Sequence, residues 1–127
     1  MLSAIWRRTQ DEMIQLKRVY EQLSKTDGKL YLVERLWPRG IKKEALEQAE
    51  WLKDVAPSTA LRKWFNHEIE KWESFKEKYC QELDQNQEAW QPILEMARKT
   101  KVTLLYSSHD TEHNNAQVLK EYLESRL

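Results

Sequence analysis

Glycine is nearly missing from the chain, with two in 127 residues. Phosphate cradles of the G-x-x-x-x-G-K-[ST] and G-x-G-x-x-G kinds need several glycines within one loop. Gly28 and Gly40 stand apart, so nucleotide cofactors held in that way are excluded. A single cysteine, Cys80, excludes an internal disulfide. Neither an H-E-x-x-H nor a Cys/His cluster occurs, so no metal site and no cofactor are expected. No apolar run is long enough for a membrane span or for the core of a signal peptide, so no membrane partner is expected and the cytoplasm is the expected compartment. A formal net charge of +0 gives no global field of the kind that duplex-binding proteins use.

What the chain has is charge, 33% of its residues, and six tryptophans that can fill a modest interior. The length suits one domain with its own core. The zero net charge hides an asymmetry: residues 1–43 hold ten Lys/Arg against five Asp/Glu, and residues 44–127 hold eleven against sixteen. The basic amino-terminal third can attract an anionic ligand locally, although ordinary solvated faces explain it too.

The stretch around which the chain is organised is Leu30 to Gly40. Leu30-Tyr31-Leu32-Val33 is apolar without helical period, the pattern of a strand buried on both faces. It breaks into Glu34, Arg35, Trp37, Pro38, Arg39 and Gly40. Ionisable groups at the mouth of a buried strand are costly unless paired or facing a cleft, and strand ends are where α/β proteins keep ligand sites. Residues 14–20 alternate imperfectly and read as a half-covered strand, and Val102 to Tyr106 as a third. Met1 to Glu12 reads as a short amphipathic helix or a docked extension, to be set apart from a domain over 13–127. Helical spacing is expected over 42–53, over a short segment capped by Ser58, and from Asn66 or His67 along Ile69, Trp72, Phe75, Tyr79 and Leu83. Further helices follow around Trp90 to Ala97, with Pro92 in the first turn or at a kink, and around Ala116 to Leu123. The expected architecture is α/β: a small, mostly parallel, three-stranded sheet covered by about five helices in a Rossmann-like three-layer arrangement.

Two strand ends carry the chemistry. Arg35 and Arg39, with a proline between them, suit a bidentate grip on phosphate or carboxylate, unless Arg35 pairs with Glu34 or Asp54 and Trp37 fills the core. Arg62 follows Ser58 by one helical turn and can point into the same space. After the last strand, His109, Asp110 and His113 offer acid/base groups near neutral pH, with Ser107, Ser108 and Asn114 beside them. No glycine-lined nucleophile elbow surrounds the serines, and Asp110 or Thr111 is readily a helix N-cap. Cys80 lies beside an apolar stripe and reads as a packing residue.

Leu32 to Gly40, then Trp51-Leu52-Lys53-Asp54-Val55-Ala56-Pro57-Ser58 with Leu61-Arg62-Lys63-Trp64-Phe65, then Thr103 to Ser107, closely resemble the DUF488 family in its YeaO-like branch. The resemblance runs from about Met13 to the C-terminus and implies a small α/β domain of unassigned activity. Where that family usually has Asp before the arginine, this chain has Glu34. Where it often reads His-Asn-His-Ala, the chain reads His113-Asn114-Asn115-Ala116. Distant members carry cysteine near the last strand's end, and Ser107 and Ser108 stand there instead, so thiol chemistry does not carry over.

Three functions fit. The first is an enzyme acting on a small phosphate- or carboxylate-bearing substrate, with Arg35, Trp37, Arg39, Arg62, Ser107, Ser108 and Asn114 binding it. In that reading His109 or His113 moves a proton, oriented by Glu34 or Asp110. The alternative is a non-catalytic module for an anionic metabolite or for single-stranded nucleic acid, with Trp37 and Tyr20 as stacking surfaces. Nucleic acid is disfavoured in that pair. The third is a structural or partner-binding domain. The enzyme stands first because charge concentrates at strand ends.

Overall fold

The computed structural model describes residues 13–127. The expected extension, Met1 to Glu12, therefore lies outside the described residues. Four strands, β1 (Ile14–Arg18), β2 (Lys29–Leu32), β3 (Ala49–Trp51) and β4 (Val102–Tyr106), form one sheet in the order β1-β4-β2-β3. Every pairing is parallel. All five residues of β4 are buried, which is why the two inner strands read as continuous apolar runs.

The fourth strand corrects the expectation of three, and of a helix over 42–53. Residues Lys43–Leu46 make a single 3-10 turn, and Ala49–Trp51 then pairs with β2 in the register Leu30↔Ala49 and Leu32↔Trp51. Leu52 adds a backbone bond to the Leu32 carbonyl at 2.9 Å. Helical spacing over so short a window gives way to the open row of amides and carbonyls along β2, which only a strand can satisfy.

Among the described residues four α-helices follow rather than five: α1 (Thr59–Phe65), α2 (Trp72–Asp84), α3 (Gln87–Ala97) and α4 (Asn115–Glu124). All four contribute to the core on the Tyr31, Val33 and Leu104 side of the sheet. The opposite side, Leu30, Leu32 and Leu105, is covered by Val19, Leu46, Trp37, Ile41, Ala49 and Trp51, with no residue from those helices. The described residues thus show helices on one face and loops on the other, and not three layers with helices on both.

Ser58 caps α1 as expected, accepting from the Leu61 amide at 3.1 Å. Asn66 and His67 do not open a helix: both have positive φ, 47° and 57°, and end α1. The next helix begins at Trp72 after a 3-10 turn, and Ile69, expected in the stripe, is 54% exposed. Pro92 lies inside α3, past its first turn. Glu82 of α2 fastens the start of α1 by accepting from the Ser58 amide at 2.9 Å and its hydroxyl at 2.6 Å.

At the strand starts, a buried carboxylate ties the loop 24–28 to the sheet. Asp27 accepts from Gln15 at 2.9 Å, from Lys17 at 3.0 Å and from the Ser24 amide at 2.8 Å. Burial pushes its pKa up, but the Ser24 amide, Lys17 and Gln15 outweigh burial and hold it below the usual value. Gly28 has φ 71°, and a Cβ there would lie 2.2 Å from the Lys101 carbonyl oxygen, so only glycine fits.

Candidate functional site

In a wholly parallel sheet all strand C-termini lie along one edge, and the cavity of about 310 Å³ sits there. Its wall is polar on one side, with Glu34, Arg35, Arg62, His67, Ser107, Ser108, His109, His113, Asn114 and Asn115. Ala56, Pro57, Phe65 and Phe75 form the apolar side, where the two phenyl rings stack with centroids 4.4 Å apart.

Glu34 reaches the cavity because the backbone of β2 continues past Leu32. The Val33 amide donates to the Leu105 carbonyl at 3.2 Å, and the Val33 carbonyl accepts from Asn115 Nδ2 at 2.8 Å. The Glu34 carboxylate accepts from the Ser107 hydroxyl at 2.9 Å, and its own carbonyl accepts from Trp51 Nε1 at 2.7 Å. Burial raises the Glu34 pKa above the ordinary glutamate value, opposed by Ser107 and by the positive charge of Arg62.

Arg35 is fastened rather than free. Its Nη2 donates to the Ala56 carbonyl at 2.8 Å and its Nε to the Pro57 carbonyl at 3.3 Å, while Nη1 lies 3.7 Å from Asp54. Arg62, projecting from α1, differs: among the described residues its guanidinium makes no hydrogen bond and no ion pair, and its charge acts on Glu34.

The segment after β4 folds on itself. Asp110 accepts from the Glu112 and His113 amides, both at 2.9 Å, and these bonds with the His113 ring hold its pKa below the usual value. His113 Nδ1 lies 3.0 Å from Asp110, and its ring stands edge-on to Trp72 at 5.1 Å. Ser108 Oγ accepts from the Asp110 amide at 3.1 Å. The N-cap of α4 is Asn114 and neither Asp110 nor Thr111: its Oδ1 accepts from the Gln117 amide and its Nδ2 donates to the Asp110 carbonyl, both at 2.9 Å. His109 is exposed at the rim.

The structure thus brings together Glu34, Arg35, Arg62, Ser107, Ser108, His109, His113 and Asn114, with Asp110 behind His113. It does not bring in Trp37 or Arg39. Trp37 packs on the loop-covered face, edge-on to Trp51 at 5.2 Å, with Nε1 donating to the Ile41 carbonyl at 2.6 Å. Arg39 is exposed, and its carbonyl accepts from Tyr20 at 2.9 Å. A proline and a turn separate Arg39 from the strand end, which carries it past the cavity.

Several contributors carry no site signature in the sequence: Ala56, Pro57, Phe65, Phe75 and Asn115 line the cavity, the two phenylalanines reading as core residues, and His67, which also lines it, reads as a helix start. Arg18 holds the floor from outside, its Nε donating to the Ser108 carbonyl at 2.9 Å. The parallel register pairing Arg18 with Tyr106 puts it there, and that register has no signature in the residues themselves. Of the other basic groups described in the amino-terminal third, Lys17 is engaged on Asp27 and Arg18 on the Ser107–Ser108 carbonyls, whereas Lys25, Lys42 and Lys43 are exposed.

Among the described residues there is no cluster of His, Cys, Asp or Glu suited to a metal, and no helix long and apolar enough to cross a membrane. Cys80 is half-buried, and burial first, with Asp84, pushes its thiol pKa up, which disfavours the reactive thiolate.

The family model described as "Inactive DUF488-N3 subclade" matches residues 13–127. The uncharacterized protein YeaO of Escherichia coli (strain K12) is 46% identical over 112 residues, covering 88% of this chain and 97% of that protein. The uncharacterized protein Rv3073c of Mycobacterium tuberculosis (strain H37Rv) is 34% identical over 113 residues, covering 89% of this chain and 95% of that protein. No solved structure gives a significant match.

Proposed function

The chain belongs to the DUF488 family, in a subclade described as inactive, and from that premise we propose that it binds a small anionic ligand at the strand C-terminal edge without turning it over. The observation that carries this reading is Arg62. A guanidinium has five donors in a fixed fork and cannot shed its charge, so one that makes no hydrogen bond among the described residues and lines a cavity is available to a carboxylate or phosphate. The neighbouring polar atoms support binding over chemistry. Ser107 already donates to Glu34, Ser108 accepts from a backbone amide, and both ends of the Asn114 amide are engaged, the oxygen in the helix cap and the nitrogen on the Asp110 carbonyl.

Isothermal titration with inorganic phosphate, sulfate and a panel of small carboxylates tests the reading. At least one probe binds, and Arg62→Met weakens it by about 10- to 100-fold, the loss of charge-assisted bonds contributing about 1.5–3 kcal/mol. Exposed Lys99→Met serves as the control and leaves affinity unchanged. Equal affinity of the wild type and Arg62→Met for every probe overturns the reading.

The Asp110–His113 pair favours a second reading, proton transfer by a histidine held through Nδ1 by a carboxylate. Under it, NMR of the bound compound shows consumption by wild type and none by His113→Asn. Under the binding reading the compound is recovered unchanged from both.

A further inference from the structure

Glu34 and Arg62 line the same cavity from different elements, the end of β2 and α1, and each feels the other's charge. No hydrogen bond or ion pair joins them. The Glu34 carboxylate is engaged by Ser107 and the Arg62 guanidinium by nothing among the described residues. Two opposite charges that share a cavity wall and do not meet leave a space with a positive and a negative end. A plain anion satisfies only Arg62 and brings a second negative charge near a half-buried carboxylate. The apolar side, Phe65, Phe75, Ala56 and Pro57, completes the description of what fits.

Resting on the anion-binding reading, we propose that the ligand is amphoteric: a small amino acid-type zwitterion, its carboxylate on Arg62, its ammonium group on Glu34 and an apolar side chain against Phe65 and Phe75. The cavity volume of about 310 Å³ holds a molecule of that size, since a site of about 150 Å³ already accepts benzene. Such a ligand compensates Glu34 for its burial and supplies Arg62 with the acceptor it lacks.

Other titratable groups surround the pair. Arg35 follows Glu34 in the chain, His67 enters from the loop after α1, Tyr79 and Glu82 approach from α2, and His109 and the Asp110–His113 pair come from the segment after β4. These groups share the cavity with the pair, so a pH profile alone does not isolate Glu34. Matched ligands at one pH do.

The experiment is titration of the whole chain at pH 7.5 with phenylalanine against 3-phenylpropanoate and leucine against 4-methylpentanoate, pairs that differ only in the amine. Wild type is expected to bind at least one amino acid tenfold or more tightly than its deaminated partner. Glu34→Gln, which keeps an acceptor for Ser107, is expected to bring that ratio to near one, and Arg62→Met to weaken binding of both members by about 10- to 100-fold. A ratio near one in wild type, with Arg62-dependent binding of the carboxylates or of phosphate, overturns the zwitterion and leaves anion binding standing. Absence of binding by every probe, inorganic phosphate included, overturns both. Should Glu34→Gln fail to fold, the wild-type ratios decide alone.

Discussion

Replacing Arg35 with alanine separates a strut from a ligand grip. Its side chain, 28% exposed, joins the end of β2 to the turn before α1 through the Ala56 carbonyl at 2.8 Å and the Pro57 carbonyl at 3.3 Å. The Asp54 carboxylate, 3.7 Å away, is 90% exposed, and an ion pair so hydrated contributes little. The shorter bond dominates. A charged donor on a carbonyl contributes about 1.5–3 kcal/mol, the longer bond less, and water can reach part of the gap, which leaves about 2 kcal/mol lost on truncation. With an unfolding entropy of about 0.27 kcal/mol/K for a chain of this length, the melting temperature falls by about 7 °C. Circular dichroism melts of wild type, Arg35→Ala and Arg35→Lys measure it, and lysine, able to restore one bond, recovers about half of the loss. A melt within about 2 °C of wild type for Arg35→Ala, together with lost phosphate or carboxylate binding, refutes the strut and returns Arg35 to the ligand.

Gly28→Ala lowers stability by about 3 kcal/mol or more, because alanine is strained at φ 71° and its Cβ would press on the Lys101 carbonyl, whereas Gly40→Ala, with φ 78° and open space, costs about 1 kcal/mol; denaturant midpoints compare the two. Asp27 makes stability acid-sensitive: its folded pKa lies below 3.8, so its contribution is complete above that value and is lost as pH falls through the lower folded one. Melting temperatures between about pH 2 and 6 should therefore drop more steeply for wild type than for Asp27→Asn, the two curves converging in acid.

How far the residues disclose the molecule depends on whether local or distant partners decide. Val102 to Tyr106 and Leu30 to Val33 are legible because burial on both faces demands apolar runs whatever the neighbours. The helices over Trp72–Asp84, Gln87–Ala97 and Asn115–Glu124 follow from their periodicity. Ala49–Trp51 is not legible, because its helical spacing is genuine and only the open edge of β2 makes it a strand. Likewise a charged residue at a strand end reads the same whether it faces a ligand or a carbonyl. Arg35, Arg39 and Arg62 are alike in type, and only the turn at Ala56–Pro57 makes the first a tie, Pro38 sends the second outward, and α1 leaves the third unpaired among the described residues. The absence of helices behind Leu30 and Leu32 among the described residues is hidden for a similar reason: Trp37 and Ile41 cover that face from a loop, beside Trp51 of β3, and loop packing carries no period.

The pairing of Glu34 with Ser107 follows from topology rather than from any loop. β2 and β4 are parallel neighbours with Leu32 beside Leu105, so the residues that continue each strand must emerge side by side. Arg62 has no such guarantee. It stands on a helix whose start is held by Glu82 at Ser58 and whose approach is held by Arg35 at Ala56 and Pro57. The positive end of the cavity is therefore positioned by side chains that do not themselves present free charge to it, and the negative end by the sheet. Loss of Glu82 or Arg35 should consequently loosen ligand binding through Arg62 while the Glu34–Ser107 hydrogen bond persists, so that affinity and stability fall together. In Arg62→Met, where the helix keeps both of its ties, affinity falls alone.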